Sequence, residues 1–310
     1  MLASPAQLGL GIAWMLAAVS CFAAMDTTVR HLGAAVPVLM LLILRYLTQA
    51  LLMAPVLALS GLGFRSPRPG FQLMRGLLLL ACSAITFIGL RYMPVAEYTA
   101  IAMLTPVLVT VLSVLLFKER ISALRWALVL GAFAGALIII RPGSGAFGWV
   151  VLWPLAGSFA YAGFQLITSH YAARENPFVT HFWTGAVGAA AVLPAWPLGA
   201  VDVPALWLAL DARVQALIVL VGLLGTFGHL LLILAFGRAP ASRLMPFLYL
   251  QIAMAVLLGW WALGHVPDAW AWIGMGVIAA CGAATAVLNL RSAAGSRREV
   301  SAVAADTTAD

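Results

Sequence analysis

Nine side chains that could bind a polar or aromatic solute lie within the otherwise apolar stretches of this 310-residue sequence: Asp26, Arg45, Gln49, Tyr161, Gln165, Trp183, His229, Tyr249 and Gln251. A charged side chain at the centre of a bilayer costs about 2.5–3.5 kcal/mol on insertion scales, so an ionisable residue at that depth is a candidate for a substrate or ion pathway. Asp26 supplies a carboxylate, Arg45 a permanent cation, and His229 a ring that exchanges protons near neutral pH. These nine residues are the predicted substrate site.

Two pairs among them are four residues apart, which places both members of each pair on one face of a helix. Tyr161 and Gln165 would present a ring and an amide together, which suits a solute that has both a ring and a polar edge. Arg45 and Gln49 would offer a cation to a carboxylate or phosphate. Two structural alternatives stay open: an Asp26–Arg45 ion pair that joins two helices, and an Arg45 side chain that extends to the membrane boundary.

The other candidates also have alternative roles. His229 could relay protons, or donate as a neutral ring to a neighbouring carbonyl. Trp183 could face the solute, or anchor its helix at the membrane interface as most tryptophans do. Tyr249 and Gln251 follow Pro246, which should bend its helix and free backbone carbonyls at membrane depth. Choosing between these roles requires the arrangement of the helices in space.

The composition is typical of a protein embedded in lipid. Hydrophobic residues make up 64% of the chain and charged residues 9%, whereas soluble domains carry roughly a quarter charged residues. The 17 Lys and Arg residues lie singly or in small groups between apolar runs, so the net charge of +7 indicates membrane orientation rather than nucleic-acid binding. The three cysteines lack CxxC spacing and predict neither a disulfide nor a metal site, and we find no cofactor motif.

Ten apolar runs are long enough to span a membrane, since about 20 helical residues cross a hydrocarbon core of ~30 Å. They lie at 8–27, 37–60, 71–91, 95–117, 123–141, 147–171, 178–198, 213–237, 241–264 and 268–290. With the amino terminus in the cytoplasm, most basic residues fall on the cytoplasmic side, as the positive-inside bias requires. These are Arg65, Arg68, Arg75, Lys118, Arg120, Arg125, Arg174, Arg238, Arg243, Arg291, Arg297 and Arg298, against Arg30, Arg91, Arg141 and Arg213 outside. Both termini are therefore predicted to be cytoplasmic.

The second half of the sequence aligns with the first. Trp14 matches Trp153, His31 matches His170, and Pro94 matches Pro240 at the start of the fourth and ninth spans. Because five spans is an odd number, the second unit must cross the membrane in the opposite direction, which gives an inverted repeat. The prediction is an all-α integral membrane protein with one five-helix repeat at 1–143, a second at 144–291, and a disordered cytoplasmic tail at 292–310.

The chain resembles the EamA family of the drug/metabolite transporter superfamily. The resemblance lies in CFAAMDTTVRHL around Asp26, LILRYL around Arg45, FKERIS after the fourth span, FAYAGFQLITSHY in the sixth, and GTFGHLLLILAFGRAPASRLMPFLYLQIAMAVLLGWWALGHVPDAW across the eighth and ninth. Similar proteins carry an acidic residue where this chain has His265, whereas Glu119 is kept in the first half. The resemblance implies a bundle with a central cavity in the bacterial cytoplasmic (inner) membrane. It also implies transport of amino acids, cofactors, nucleosides or related amphipathic solutes.

An intramembrane enzyme is the strongest competitor from another class, but it would need an acid, base, nucleophile or metal cluster at one place. The five histidines fall in or beside five different spans, and neither HExxH nor GxSxG occurs. A channel would be expected to show repeated filter or charged-ring sequences, and a scaffold would usually add a soluble module. We therefore predict a secondary carrier of a small metabolite, with an intramembrane enzyme or lipid-handling protein as the alternative.

The predicted mechanism is a rocking of the two repeats around a site near the membrane midplane, lined by spans one, two, four, six, seven, eight and nine. Proton coupling through Asp26 or His229 is compatible with this mechanism. The predicted partners are a small-molecule substrate and membrane lipid, with no nucleic acid, metal or cofactor. The sequence makes no prediction about oligomeric state.

Overall fold

The computed structural model describes residues 5–33, 35–105, 107–108, 111–112, 122–141, 147–171, 175–238, 244, 247–285 and 287–288. All regular structure within these ranges is helical. The helices of the first half are α1 (Pro5–Leu32), α2 (Val38–Leu59), α3 (Pro69–Tyr92), α4 (Val95–Ala102) and α5 (Ala123–Ile140). Those of the second half are α6 (Leu152–Tyr171), α7 (Pro177–Val192), α8 (Ala212–Arg238), α9 (Leu250–Leu263) and α10 (Ala269–Thr285). Short 3₁₀ turns at Gly148–Val151 and Leu193–Ala195 and a short helix at Val203–Ala209 complete the second half.

Six of these helices are long and apolar enough to cross a membrane: α1, α2, α3, α6 with its preceding 3₁₀ turn, α7 and α8. Shorter apolar helices lie at Trp126–Ile140, Leu250–Leu263 and Ala269–Thr285. The fourth predicted span, 95–117, is described as continuous helix only over Val95–Ala102. The all-helical prediction is therefore confirmed for the described residues, and six of the ten predicted spans are clear.

Helix ends follow local chemistry. Asn176 caps α7, because its side-chain oxygen accepts from the backbone N–H of Phe178 at 2.9 Å. Asp268 caps α10 in the same way through Ala271 at 2.8 Å. Gly264 ends α9 in the left-handed conformation at φ 66°, which residues with a Cβ rarely adopt. Pro94 precedes α4, as its place in the sequence predicted. Pro240 and Pro246 lie outside the described residues, so the bend expected at Pro246 stays a prediction.

Each half packs mainly against the other. Helix α1 contacts α8 and α9, α2 contacts α7 and α8, α3 contacts α6 and α7, and α4 contacts α9 and α6. Glycines allow these close approaches: Gly225 of α8 faces Arg45, and Gly228 faces Phe22. On α5, Gly131 and Gly135 face α10. Small residues let helix backbones approach where lipid supplies no hydrophobic force between helices, and these glycines of α5 and α8 serve this packing.

Replacing Gly188 by alanine should destabilise the bundle. A Cβ at this position of α7 would lie 2.2 Å from the Tyr46 ring of α2, and the ring is fully buried. Overpacking of this kind costs about 1–3 kcal/mol, so the melting temperature of the detergent-purified protein should fall. Gly276→Ala is the control, since nothing lies within 4 Å of the added Cβ. Equal melting temperatures for both variants would contradict the α2–α7 contact.

Candidate substrate-binding cavity

A cavity of about 100 Å³ lies between the two halves of the chain, which is room for several water molecules. Its walls come from α1, α2, α3, α4, α6, α8 and α9. The prediction placed the seventh span in this wall and omitted the third. In the structure α3 lines the cavity, whereas α7 packs against α2 and α3 and contributes none of the described lining residues.

Five of the nine predicted site residues line this cavity: Asp26, Arg45, Tyr161, His229 and Gln251. They come from five different helices, two of the first half and three of the second. The remaining described lining is apolar, aromatic or weakly polar. Its aromatic members are Phe22, Phe87 and Tyr98, and its hydroxyl-bearing members are Ser83, Thr86, Thr99, Thr105 and Ser158, besides the tyrosines.

The other four predicted residues lie outside the cavity lining. Gln49 donates to the His181 carbonyl of α7 at 2.9 Å. Gln165 hydrogen-bonds to Tyr161. Trp183 donates to the Phe64 carbonyl, in the loop between α2 and α3, at 2.9 Å, which fits the anchoring alternative. Tyr249 packs its ring on Gly282 of α10.

Arg45 is buried inside the helix bundle, with 1% of its surface exposed. Its guanidinium carbon lies 4.6 Å from the ring centroid of Tyr46. A Cβ at Gly225 would come within 2.8 Å of Arg45 Nε, so the glycine on α8 makes room for the cation. The Arg45 side chain therefore points into the protein, whereas extension to the membrane boundary would leave it exposed.

Asp26 faces the same cavity from α1 and is 6% exposed. The positive charge of Arg45 acts on its carboxylate. Among the described residues, however, the ion pairs within 4.0 Å are Arg141–Asp268 and His265–Glu97. The second structural alternative, a direct Asp26–Arg45 clamp between α1 and α2, is thus not formed, and the two charges reach the cavity separately.

His229 of α8 is buried among aromatic rings. Its ring centroid lies 4.7 Å from that of Phe22 and 6.3 Å from that of Phe164, the latter in an edge-on arrangement. Tyr161 stacks on Phe164 at 5.7 Å. An aromatic cluster on α1, α6 and α8 therefore forms one side of the cavity, and a planar or apolar group could pack against it.

Arg75 was counted among the cytoplasmic charges and not among the site residues, and the structure buries its side chain between helices. The side chain is 1% exposed, inside α3. Its Nε donates to Thr168 Oγ1 at 2.8 Å, and its Nη1 donates to the Thr180 carbonyl at 3.1 Å and to Thr184 Oγ1 at 2.6 Å. Desolvation of a cation is tolerated here because three neutral acceptors surround it. In the sequence, a buried role of Arg75 could have been inferred from Gln72, a second polar residue three positions earlier in the same predicted span. In the structure Gln72 is also fully buried.

One hydrogen-bonded pair and one ion pair join the halves at the predicted outer face. His265 Nε2, in the link between α9 and α10, donates to Glu97 Oε1 of α4 at 2.9 Å. Arg141, directly after α5, lies 2.6 Å from the Asp268 carboxylate. The Ala271 backbone N–H and the Arg141 guanidinium hold the pKa of the Asp268 carboxyl below its ordinary value, so this pair stays ionised at neutral pH.

Comparison with known proteins assigns the chain to a family. The model of the EamA-like transporter family matches residues 9–141 and again residues 148–287. The chain belongs to the EamA-like transporter family. Together with its apolar helices, this makes it a multi-pass bacterial membrane protein whose surroundings are membrane lipid.

Among the similar proteins is a riboflavin transporter of Rhizobium johnstonii, 27% identical over 88% of this EamA-like chain and 90% of the relative. An S-adenosylmethionine uptake transporter of Rickettsia bellii is 24% identical over 84% of this chain and 87% of the relative. A solved crystal structure of a protein matches the fold with a TM-score of 0.59 and 22% identity, over 91% of this chain and 98% of that one. The resemblance expected from the sequence is confirmed.

Proposed function

We propose that this EamA-like protein is a secondary carrier, not an enzyme, that moves a small metabolite across the cytoplasmic membrane. Its substrate site is the cavity lined by Asp26, Arg45, Tyr161, His229 and Gln251. The observation that carries the proposal is that ionisable, amide and aromatic side chains from both halves meet around one cavity. The similar proteins named as riboflavin and S-adenosylmethionine transporters carry solutes that combine a ring system with polar groups, which such a wall would suit.

The helix contacts support an inverted repeat as the basis of transport. Each helix has a counterpart five positions away in the other half, so that α1 corresponds to α6, α3 to α8 and α4 to α9. Exchanging counterparts turns the α1–α8 contact into α6–α3 and the α1–α9 contact into α6–α4, and both of these contacts are also present. The α2–α7 and α4–α9 contacts map onto themselves. A pseudo-two-fold axis produces such exchanged neighbours, and two related units can then open the site to either side in turn. This supports the two five-helix repeats and the ten spans.

Polar contacts between the halves lie on both sides of the cavity. At the predicted outer face, Glu97–His265 and Arg141–Asp268 join α4 and α5 to the start of α10. At the predicted cytoplasmic end, Arg75 joins α3 to α6 and α7. In alternating access, each set breaks when the cavity opens to its own side. The described arrangement keeps both sets of contacts.

The first test is uptake into proteoliposomes of labelled riboflavin, S-adenosylmethionine and the proteinogenic amino acids. The proposal expects saturable, protein-dependent uptake of at least one of them. An absence of uptake for every solute in both protein orientations would contradict it.

Cross-linking the outer face should block transport. The test variant carries Glu97→Cys and His265→Cys in a transporting background whose native cysteines are alanine. It should lose at least about 90% of uptake after a short bis-methanethiosulfonate reagent bridges the two sites through disulfide bonds, because the halves can no longer separate there. Reversal by reductant should restore uptake. The control is Arg30→Cys with Arg91→Cys, since both lie in the first half, where Arg30 Nη1 donates to the Arg91 carbonyl. Full transport by the cross-linked Glu97/His265 variant would exclude opening at this face.

A further inference from the structure

Phe164 of α6 lies between the cavity wall and the buried network of Arg75. Its side chain is 3% exposed and is not among the described lining residues of the cavity. Its ring stacks with that of Tyr161, with the centroids 5.7 Å apart and the planes inclined by 12°. The His229 ring meets it edge-on, at a centroid distance of 6.3 Å. Phe164 therefore contacts two side chains that a solute in the cavity can touch.

The same residue contacts the arginine that joins the halves at the predicted cytoplasmic end. The guanidinium carbon of Arg75 lies over the Phe164 ring, 4.8 Å from its centroid. The Phe164 carbonyl accepts from Thr168 Oγ1 at 2.6 Å, and Thr168 Oγ1 in turn accepts from Arg75 Nε at 2.8 Å. Arg75 is thus joined to Phe164 twice, directly through the ring and indirectly through Thr168.

The ring contact supplies Arg75 with a negative partner that its hydrogen bonds lack. The face of an aromatic ring attracts a cation, and the attraction grows where water is excluded. Arg75 is 1% exposed, and its described hydrogen-bond acceptors are one carbonyl and two hydroxyls, all of them neutral. Neither of the described ion pairs within 4.0 Å includes Arg75. The Phe164 ring therefore helps to hold this buried cation in place.

This position gives Phe164 a part in alternating access. Opening at the predicted cytoplasmic end separates α3 from α6 and α7, so Arg75 has to leave both the hydroxyls and the ring. The strength of the ring contact then sets the population of the state that is open at this end. Because Tyr161 and His229 contact the ring, a solute that packs against them changes the position of the ring and its contact with Arg75.

We propose that Phe164 is a positioning residue for transport: its ring, supported by Tyr161, holds Arg75 in the closure at the predicted cytoplasmic end and so connects the cavity with that closure. This rests on the proposed function, because it requires a cavity that opens to each side in turn. It deepens that function by naming the residue that connects the cavity with one of the two closures. A residue that only fills the core would stabilise the fold without favouring either side.

The test uses Cys82 as a native reporter, since it lines the cavity from α3. The other two cysteines, Cys21 and Cys281, are replaced by alanine. Membrane vesicles of the two orientations each present one face to a membrane-impermeant methanethiosulfonate. The labelling rate of Cys82 from a face measures how readily that face admits the reagent to the cavity, and the measurement needs no substrate.

Phe164→Leu keeps an apolar side chain and removes the ring. Labelling of Cys82 from the cytoplasmic face should rise at least about fivefold, because a desolvated cation–π contact is strong enough to shift the population by this factor. Labelling from the outer face should stay within about twofold of the parent, since the contacts there are unchanged. Phe159→Leu is the matched control, because Phe159 lies on the same helix but is 56% exposed. It should label like the parent from both faces.

A fluorinated ring separates the attraction for the cation from the volume of the side chain. Replacing Phe164 by a trifluorinated phenylalanine keeps the ring and withdraws negative charge from its face, so labelling from the cytoplasmic face should still rise. This variant also decides the question if Phe164→Leu fails to fold. Labelling at the parent rate would show that the ring acts by volume alone, and would overturn the proposal.

A double-mutant cycle tests the connection with the cavity. Tyr161→Ala should raise the ratio of cytoplasmic to outer labelling, because Phe164 loses the ring on which it stacks. In the Phe164→Leu background, Tyr161→Ala should change this ratio by less than about twofold, since its effect passes through the missing ring. Independent effects of the two changes would overturn the connection.

The outcomes separate this proposal from the carrier function. A rise in Phe164→Leu from the outer face, from both faces or from neither would overturn the role of Phe164. Uptake of riboflavin or S-adenosylmethionine by the wild-type protein in proteoliposomes would then leave the carrier function intact. An absence of uptake of every solute would instead remove the carrier function, and the transport role of Phe164 with it.

Discussion

Tyr161→Ala should weaken substrate affinity about thirtyfold. Tyr161 lines the cavity, and its ring extends the aromatic cluster by stacking on Phe164 at 5.7 Å. Loss of a buried aromatic contact costs about 2 kcal/mol, and each 1.4 kcal/mol is tenfold in affinity. The apparent KM for uptake into proteoliposomes should rise by this factor, at normal expression and at a temperature where the variant remains folded.

Two controls separate the parts of this effect. Tyr161→Phe keeps the ring and removes only the hydroxyl, so most of the affinity should remain. Gln165→Ala changes a residue that hydrogen-bonds to Tyr161 but lies outside the cavity lining, and its effect should stay below about threefold. Unchanged uptake by Tyr161→Ala would remove α6 from the binding site.

Arg75→Ala should destabilise the folded protein by about 3–5 kcal/mol. The change removes three hydrogen bonds to Thr168, Thr180 and Thr184, leaves their oxygens in a buried site, and empties the volume of a side chain that is 1% exposed. Hydrogen bonds of charged groups contribute about 1.5–3 kcal/mol each, and a cavity adds to the loss. The Arg75 guanidinium also lies 4.8 Å from the Phe164 ring centroid, so the aromatic cluster loses a contact.

Thermal unfolding in detergent measures this loss. Arg65→Ala is the matched control, because Arg65 is an exposed arginine in the loop before α3 and its removal should change stability by less than about 0.5 kcal/mol. Arg75→Lys should fall between the two, since lysine keeps the charge without the fork of donors. Equal melting temperatures for Arg75→Ala and Arg65→Ala would show that the buried network contributes nothing to stability.

The helices were predicted well where local chemistry marks their ends. The predicted third span, 71–91, corresponds to Pro69–Tyr92, and the proline supplies its start. The first span was predicted at 8–27, but the helix extends through Leu32, and the hydroxyls of Thr27 and Thr28 donate within it to carbonyls four residues earlier. Asp26 consequently lies within the helix, more than one turn from its end, and not at its margin.

The site was predicted in part. Asp26, Arg45 and His229 stood out because an ionisable residue in an apolar run is expensive, and all three line the cavity. Gln49 and Trp183 carried the same kind of signal but bond to His181 and Phe64 instead. Polarity inside a span shows that a partner is required, and it does not show whether that partner is a solute or another helix.

The sequence by itself determined the lipid environment, the helical class, the family and the short set of polar residues from which any site must be made. Only the tertiary structure decided which of them share a cavity, that Arg75 is buried, and that Glu97 meets His265. The physical reason is that a helix in lipid is apolar on every side, so no amphipathic stripe marks the face that turns inward. That face is set by contacts between distant residues, such as Gly225 against Arg45, and these exist only after the helices have packed.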